Sequence, residues 1–214
     1  MAGIKAEPPY NPLDKKNLGV SVADALLARQ IHPLPPTAAF RGAGIYALYY
    51  VGTFAAYEPL AARNRGDNFE APIYVGKAVP KGARKGGYGL DKPPGAVLYK
   101  RLVEHAKSIE QAKSTLQLKD FACRYLVVDD IWIPLGESLL IERFSPAWNS
   151  VLDGFGIHDP GSGRYKGKRS AWDVIHPGRS WAEKSAPHGR KAEELMEATR
   201  KFIEAASTRE KPAK

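Results

Sequence analysis

The chain has 214 residues, 43% of them hydrophobic, enough for one well-filled core and short for two, so it reads as a single domain with elaborations. Its one cysteine, Cys123, excludes an intrachain disulfide, and its longest charge-free stretch, Gly42 to Tyr57, is too short to span a bilayer comfortably; a soluble, cytoplasmic protein with a packed thiol is expected. A net charge of +9 points to an anionic partner, while 20 Gly and 17 Pro point to long irregular connections.

Residues 1 to 41 read as an N-terminal arm with a Pro-rich extended start through Asn11. A helix follows from about Ser21 to Gln30, where Val22, Ala25, Leu26 and Ala28 keep helical spacing, and the prolines of His32 to Pro36 stop it. Gly44 to Val51 alternates Ile45, Ala47, Tyr49 and Val51 with Tyr46, Leu48 and Tyr50, a strand apolar enough on both faces to be covered twice. Residues 53 to 71 look like a polar connection, Pro72 to Val79 a second strand, and Gly82 to Gly95 a Gly/Pro/Lys loop. A helix is expected from about Ala96 to Lys113, a third strand from Phe121 to Val128, and a helix from Pro134 to Phe144 with proline near its start. Beyond Asn149 the chain is Gly-rich and basic to about Gly189, and a last helix runs from Lys191 to Ala206. The class is α+β: a β-β-α-β-α core over residues 42 to 150, the N-terminal helical arm, and a basic extension over 151 to 214 ending in a helix. There is no internal repeat and no zinc-ligand spacing.

The charge is not spread evenly. Residues 77 to 107 carry eight Lys/Arg against two Asp/Glu, residues 161 to 191 carry the same numbers, and the remainder holds 16 basic and 19 acidic residues. Two concentrated basic segments are what a phosphate-facing surface requires, although solvated lysine-rich loops give the same count. Tyr88, Tyr99, Tyr165, Trp172 and Trp181 interleave with these charges, as flat surfaces for bases or as packing groups.

Two triplets stand out in the core: Gly44, Ile45 and Tyr46 in the first strand, and Tyr74, Val75 and Gly76 in the second. Arg101 and His105 follow, four apart on the next helix; Glu137 opens a later helix, and Asn149 lies twelve residues beyond it. At about 100° per residue, His105 falls between Leu98, Leu102 and Ile109 on the apolar face, with Arg101 flanking it. Taken alone, His105 is a hydrogen-bonded core histidine and Arg101 a surface or ion-pair arginine; a guanidinium at the edge of a core face can also hold a phosphate by a bidentate fork, and together the two fit a reaction centre. Glu137 stands at the centre of the buried stripe formed by Leu140, Ile141 and Phe144, a costly place for a carboxylate that is neither paired nor bound to a cation. Interaction with the helix dipole is its other reading. Asn149 is either a turn former or a residue that ties its helix to the sheet.

In this order the two triplets, Arg101, His105, Glu137, Pro146 and Asn149 resemble the GIY-YIG nucleases over residues 42 to 150. The 27 residues separating Tyr46 from Tyr74, and an alanine, Ala78, where many members carry Ser or Thr, depart from the common pattern; the long gap is similar to the restriction-enzyme branch. The resemblance implies a three-stranded antiparallel sheet flanked by helices, with Tyr46, Tyr74, Arg101, His105, Glu137 and Asn149 in the catalytic centre. Glu137 is the expected metal ligand, and an oxygen ligand beside a phosphate implies Mg²⁺. Tyr46 is expected to take the proton of the attacking water, with Arg101, Lys77 and the metal favouring its phenolate; Tyr74, His105 or a lysine are alternatives for that role.

A type II restriction endonuclease is therefore expected. It would act as a homodimer on double-stranded DNA at a palindrome, GC-rich such as CCGCGG by the resemblance, leaving 5′-phosphate and 3′-hydroxyl ends, and be encoded near a DNA methyltransferase. DNA contacts are expected from Lys77, Lys81, Arg84, Lys85, Arg164, Lys166, Lys168, Arg169 and Arg179, with Arg164, Arg169 and Arg179 the candidates for reading bases. The competing readings are a repair or mobile-element nuclease of the same chemistry, and a DNA-binding protein without activity.

Overall fold

The structure is a computed structural model that describes residues 10–80, 94–157 and 167–209. The strands are β1 (His32–Pro33), β2 (Gly44–Tyr50), β3 (Tyr74–Ala78) and β4 (Phe121–Val127), joined in the order β1-β4-β2-β3 with every neighbouring pair antiparallel. Three of them are the expected strands. The fourth, β1, comes from the proline segment read as a helix stop: its two residues pair with Ala122 and Cys123, on a sheet edge where proline's missing N–H does no harm.

The helices are α1 (Lys15–Leu27), α2 (Glu58–Asn64), α3 (Val97–Gln111), α4 (Ile133–Phe144), α5 (Ala147–Ser150), α6 (Ala171–Ile175) and α7 (Ala192–Arg209). All seven residues of β2 are buried, because both faces of the sheet are covered. Tyr46, Leu48 and Tyr50 face a core built with Leu98, Leu102 and Ile109 of α3. Ile45, Ala47 and Tyr49 face a second core with Ala23 and Leu26 of α1 and Ile133 and Leu140 of α4. Helix α1 begins six residues earlier than its apolar spacing suggests. Asp14 caps it, accepting from the Lys16 N–H at 2.8 Å, and Gly19 lets it close on Leu139 of α4; a polar first turn and a packing glycine leave no periodic signal.

Two other expectations change. Residues 53 to 71 are a packed insertion rather than a polar connection, holding α2 and the fully buried Tyr57. The buried Asn64 ties this insertion to the sheet: its Nδ2 donates to the Tyr50 carbonyl at 3.0 Å and the Ala71 carbonyl at 2.8 Å, and its Oδ1 accepts from the Ala71 N–H at 2.9 Å. The basic extension is likewise no appended arm. Its Phe155, Trp172, Ile175, Leu195 and Ile203 belong to the same core as Tyr46, so Trp172 is a packing group and not a surface for bases. Tyr57 joins insertion to extension, its hydroxyl 2.6 Å from His176 Nε2 and accepting from Trp148 Nε1 at 2.9 Å. Burial, helped by Arg179, pushes His176 down to about 3, so it stays neutral. Among the described residues no helix is long and apolar enough to cross a membrane.

Asn64→Ala would leave one N–H and two carbonyls buried without partners. The expected cost is about 2–4 kcal/mol, read by calorimetry as a fall in Tm of roughly 5–10 °C for a domain of this size; an unchanged Tm would contradict the stapling role.

Candidate active site

Tyr46 lies across from Gly76 in the β2–β3 register, and Leu48 across from Tyr74. The two tyrosines therefore project from the same face of the sheet on adjacent strands, diagonally placed, with ring centroids 6.2 Å apart. The glycine of the second triplet has a steric reason: a Cβ on Gly76 would run into the Tyr46 ring and hydroxyl. Gly44 has another, since a Cβ there would meet the Leu126 carbonyl of the neighbouring strand.

Helix α3 crosses this face and brings two side chains one turn apart. His105 is fully buried, its Nε2 2.5 Å from the Tyr46 hydroxyl and its ring 5.3 Å from that of Tyr74. Arg101 is a quarter exposed, with Nη1 3.4 Å from Glu104 Oε2, and its Nη2 donates to the Gly156 carbonyl at 3.0 Å. Its Nε is buried and has no hydrogen-bond partner, an open donor of the kind an anion satisfies.

Glu137 is the fifth residue of α4, just past the first turn it was expected to open, on the other side of the sheet, where Gly136 packs against Val22 and Ile45. Its side chain is 17% exposed, and Lys77 on edge strand β3 holds its Oε2 at 2.5 Å. The carboxylate is close enough that its charge helps raise both tyrosines. Among the described residues no group of three or more His, Cys, Asp or Glu gathers to form an all-protein cage. A single carboxylate still suits Mg²⁺, which keeps several waters and takes one or two carboxylates plus substrate phosphate; the Lys77 ammonium shows that the position accepts a cation. Asn149, on α5, accepts from the Val75 N–H and donates to the Val75 carbonyl, both at 2.8 Å, which satisfies the open edge between Tyr74 and Gly76.

The electrostatics reverse one expectation. Burial raises Tyr46 well above the ordinary phenol value, Tyr74 and Glu137 push the same way, and Arg101 opposes without prevailing. Tyr74 is raised by burial for the same reason. Lys77 is paired with Glu137. Tyr46 is therefore a neutral phenol in the free protein and not the ready phenolate that its cationic neighbours suggested.

The expected DNA contacts separate. Lys81, Arg84, Lys85, Arg164 and Lys166 lie outside the described residues. Lys168 is exposed. Arg169 is half-buried and gives Nε and Nη2 to the Ala182 and Glu183 carbonyls at 3.1 and 3.3 Å. Arg179 is a correction: it is 1% exposed, locked to Asp173, and stacked between Trp172 and Trp181, so it reads no base. Phe155 was not legible from the sequence; its ring stacks on His105 at 4.6 Å and meets Tyr74 edge-on at 5.0 Å. Its flanking glycines were part of what made that stretch look like loop.

Two tyrosines on adjacent antiparallel strands, an arginine and histidine on the crossing helix, and a glutamate at the edge of the sheet make up the candidate site. Residues 38–203 match the Eco29kI GIY-YIG domain, and the chain belongs to this family of restriction endonucleases. No curated protein matches it.

Alkaline absorbance titration tests the state of Tyr46. With its proton held above the ordinary phenol range, wild type and Tyr46→Phe should give the same phenolate signal up to about pH 10; a Tyr46-dependent phenolate at neutral pH would contradict this reading of the site.

Proposed function

We propose that the protein is a type II restriction endonuclease that hydrolyses a phosphodiester in double-stranded DNA by in-line attack of water. The buried pairing of Tyr46 with His105 Nε2, beside an arginine with an unsatisfied donor, carries this reading. A phenol that keeps its proton cannot act alone as base, but it can pass a proton on. As water attacks, the Tyr46 oxygen takes the water's proton while its own moves to His105 Nε2; no free phenolate is needed. Arg101 sits where its fork can brace the charge that builds on the phosphate, Nη2 staying on the Gly156 carbonyl while Nη1 exchanges Glu104 for a phosphate oxygen and Nε takes another. Tyr74 orients the same phosphate or water.

Glu137 is the residue that would hold Mg²⁺, with Lys77 released to a neighbouring phosphate. The ion, when bound, supplies charge neutralisation and stabilises the leaving 3′ oxygen, so products carry 5′-phosphate and 3′-hydroxyl ends. One centre cuts one strand, which favours a homodimer on a palindromic site. A GC-rich site and a cognate methyltransferase encoded nearby complete the proposal. Lys77, Lys81, Arg84, Lys85, Arg164, Lys166 and Lys168 are the proposed DNA contacts, with Arg169 shared between DNA and its own backbone bonds.

The test is incubation of the purified protein with a mixed-sequence plasmid, with Mg²⁺ or with EDTA. Discrete fragments only in Mg²⁺ are expected; a smear or nicks would favour a repair nuclease, and shifted but intact DNA would sink the nuclease reading. Glu137→Gln should retain site-specific binding and lose about 10³-fold or more in cleavage rate, the equivalent of several kcal/mol of charge stabilisation. Near wild-type cutting by that variant would refute the metal assignment.

A further inference from the structure

Arg179 has no part in the site as described so far, yet it is the most completely used side chain in the extension. Its Nε and Nη2 hold Asp173 Oδ1 and Oδ2 at 2.6 and 2.7 Å. Nη2 also donates to the Gly154 carbonyl at 2.9 Å, and Nη1 donates to the carbonyls of Phe155 at 3.2 Å and Ile157 at 2.8 Å. All five N–H donors of the guanidinium are thereby engaged. The Trp172 ring lies 4.5 Å from its central carbon and the Trp181 ring 4.7 Å. Ser170 donates to Asp173 Oδ2 at 2.7 Å, so the acidic partner is held as well.

What the guanidinium grips is one turn of chain, residues 154 to 157, and that turn touches three residues of the reaction centre. The Phe155 ring stacks on His105 at an interplanar angle of 18° and packs edge-on against Tyr74. The Gly156 carbonyl accepts from Arg101. A Cβ on Gly156 would stand 2.6 Å from the Tyr74 hydroxyl and 3.8 Å from Arg101 Nη2, so the backbone itself forms that wall. Gly154 adopts φ +104°, and a Cβ there would strike Ser170, which fixes how the turn enters.

We infer that Arg179, clamped by Asp173, is a positioning residue for cleavage: it holds the 154–157 turn so that Phe155 sets the plane of His105 and Gly156 sets the fork of Arg101. The inference rests on the nuclease reading above for its rate readout. A planar fork with five donors is needed because four acceptor groups lie around it at fixed directions; a lysine keeps the charge beside Asp173 but brings three donors on a point charge. The turn then loses part of its grip while the buried ion pair survives.

Arg179→Lys is the test, made on the full chain. It should unfold cooperatively and bind its DNA site within about threefold of wild type, while single-turnover cleavage at saturating DNA falls by about 100-fold, the scale expected of a misplaced reaction centre. The His105 imidazole resonances should move in the free variant, a readout that needs no cleavage. Phe155→Leu, which leaves the clamp intact and removes the stacked ring, should lose rate similarly. The double variant should fall no further than the worse single one, because both act through one turn.

Wild-type cleavage by Arg179→Lys, losses that multiply in the double variant, or unmoved His105 resonances would each overturn the inference. If Arg179→Lys does not fold, wild-type cleavage by Phe155→Leu overturns it equally. Failure of the wild-type protein to cut any DNA would instead remove the nuclease reading, leaving the His105 resonances to decide the clamp.

Discussion

A hydrogen bond between a strand tyrosine and a helix histidine, buried in the free protein, is the constraint around which this molecule is arranged. Tyr46 and His105 are both fully buried, and polar groups in that position must satisfy one another. Their 2.5 Å contact fixes how closely α3 lies on the sheet. It requires glycine at position 76. The aromatic character of the core follows: Phe155 closes over His105, Trp148 lies behind Phe155, and Trp172 packs against both.

Sealing the pair has an electrostatic consequence. In a dry site the neutral phenol is favoured strongly enough that one neighbouring arginine does not reverse it. The mechanism we propose accordingly uses proton transfer along the bond rather than a pre-ionised base. Charge is instead kept at the edge, where Glu137 and Lys77 hold each other in partial contact with solvent. A buried neutral pair thus lies next to a solvent-reachable ionic pair: in the proposed mechanism the first would handle protons and the second would exchange one cation for another.

The sequence carried much of this, and its failures have physical causes. The strand at Gly44 was legible because it alternates apolar groups on both phases, and His105 and Arg101 fell on the sheet-facing side of α3 by helical spacing alone. The start of α1 was hidden because its packing depends on Gly19, which has no side chain to show a period. The insertion over residues 53 to 71 looked polar because Asn64 and Arg65 are polar; both spend their polarity on backbone carbonyls. Arg179 counted as a positive charge facing outward, since a sequence shows charge but not its partner. The partner, Asp173, was six residues away, and the two flanking tryptophans were the available hint that this arginine is stacked and buried. For Tyr46 the sequence offered only part of the balance: Arg101 does favour the phenolate, as expected, but burial outweighs it in the free protein, and burial belongs to the fold.

The tautomer of His105 in the free protein bears most directly on this account, and side-chain ¹⁵N NMR reads it. If Tyr46 donates into the pair, Nε2 carries the lone pair and the imidazole proton resides on Nδ1. A His105 whose Nε2 bears the proton at neutral pH would be donating to Tyr46 instead, and the proton relay on which the mechanism depends would have no acceptor.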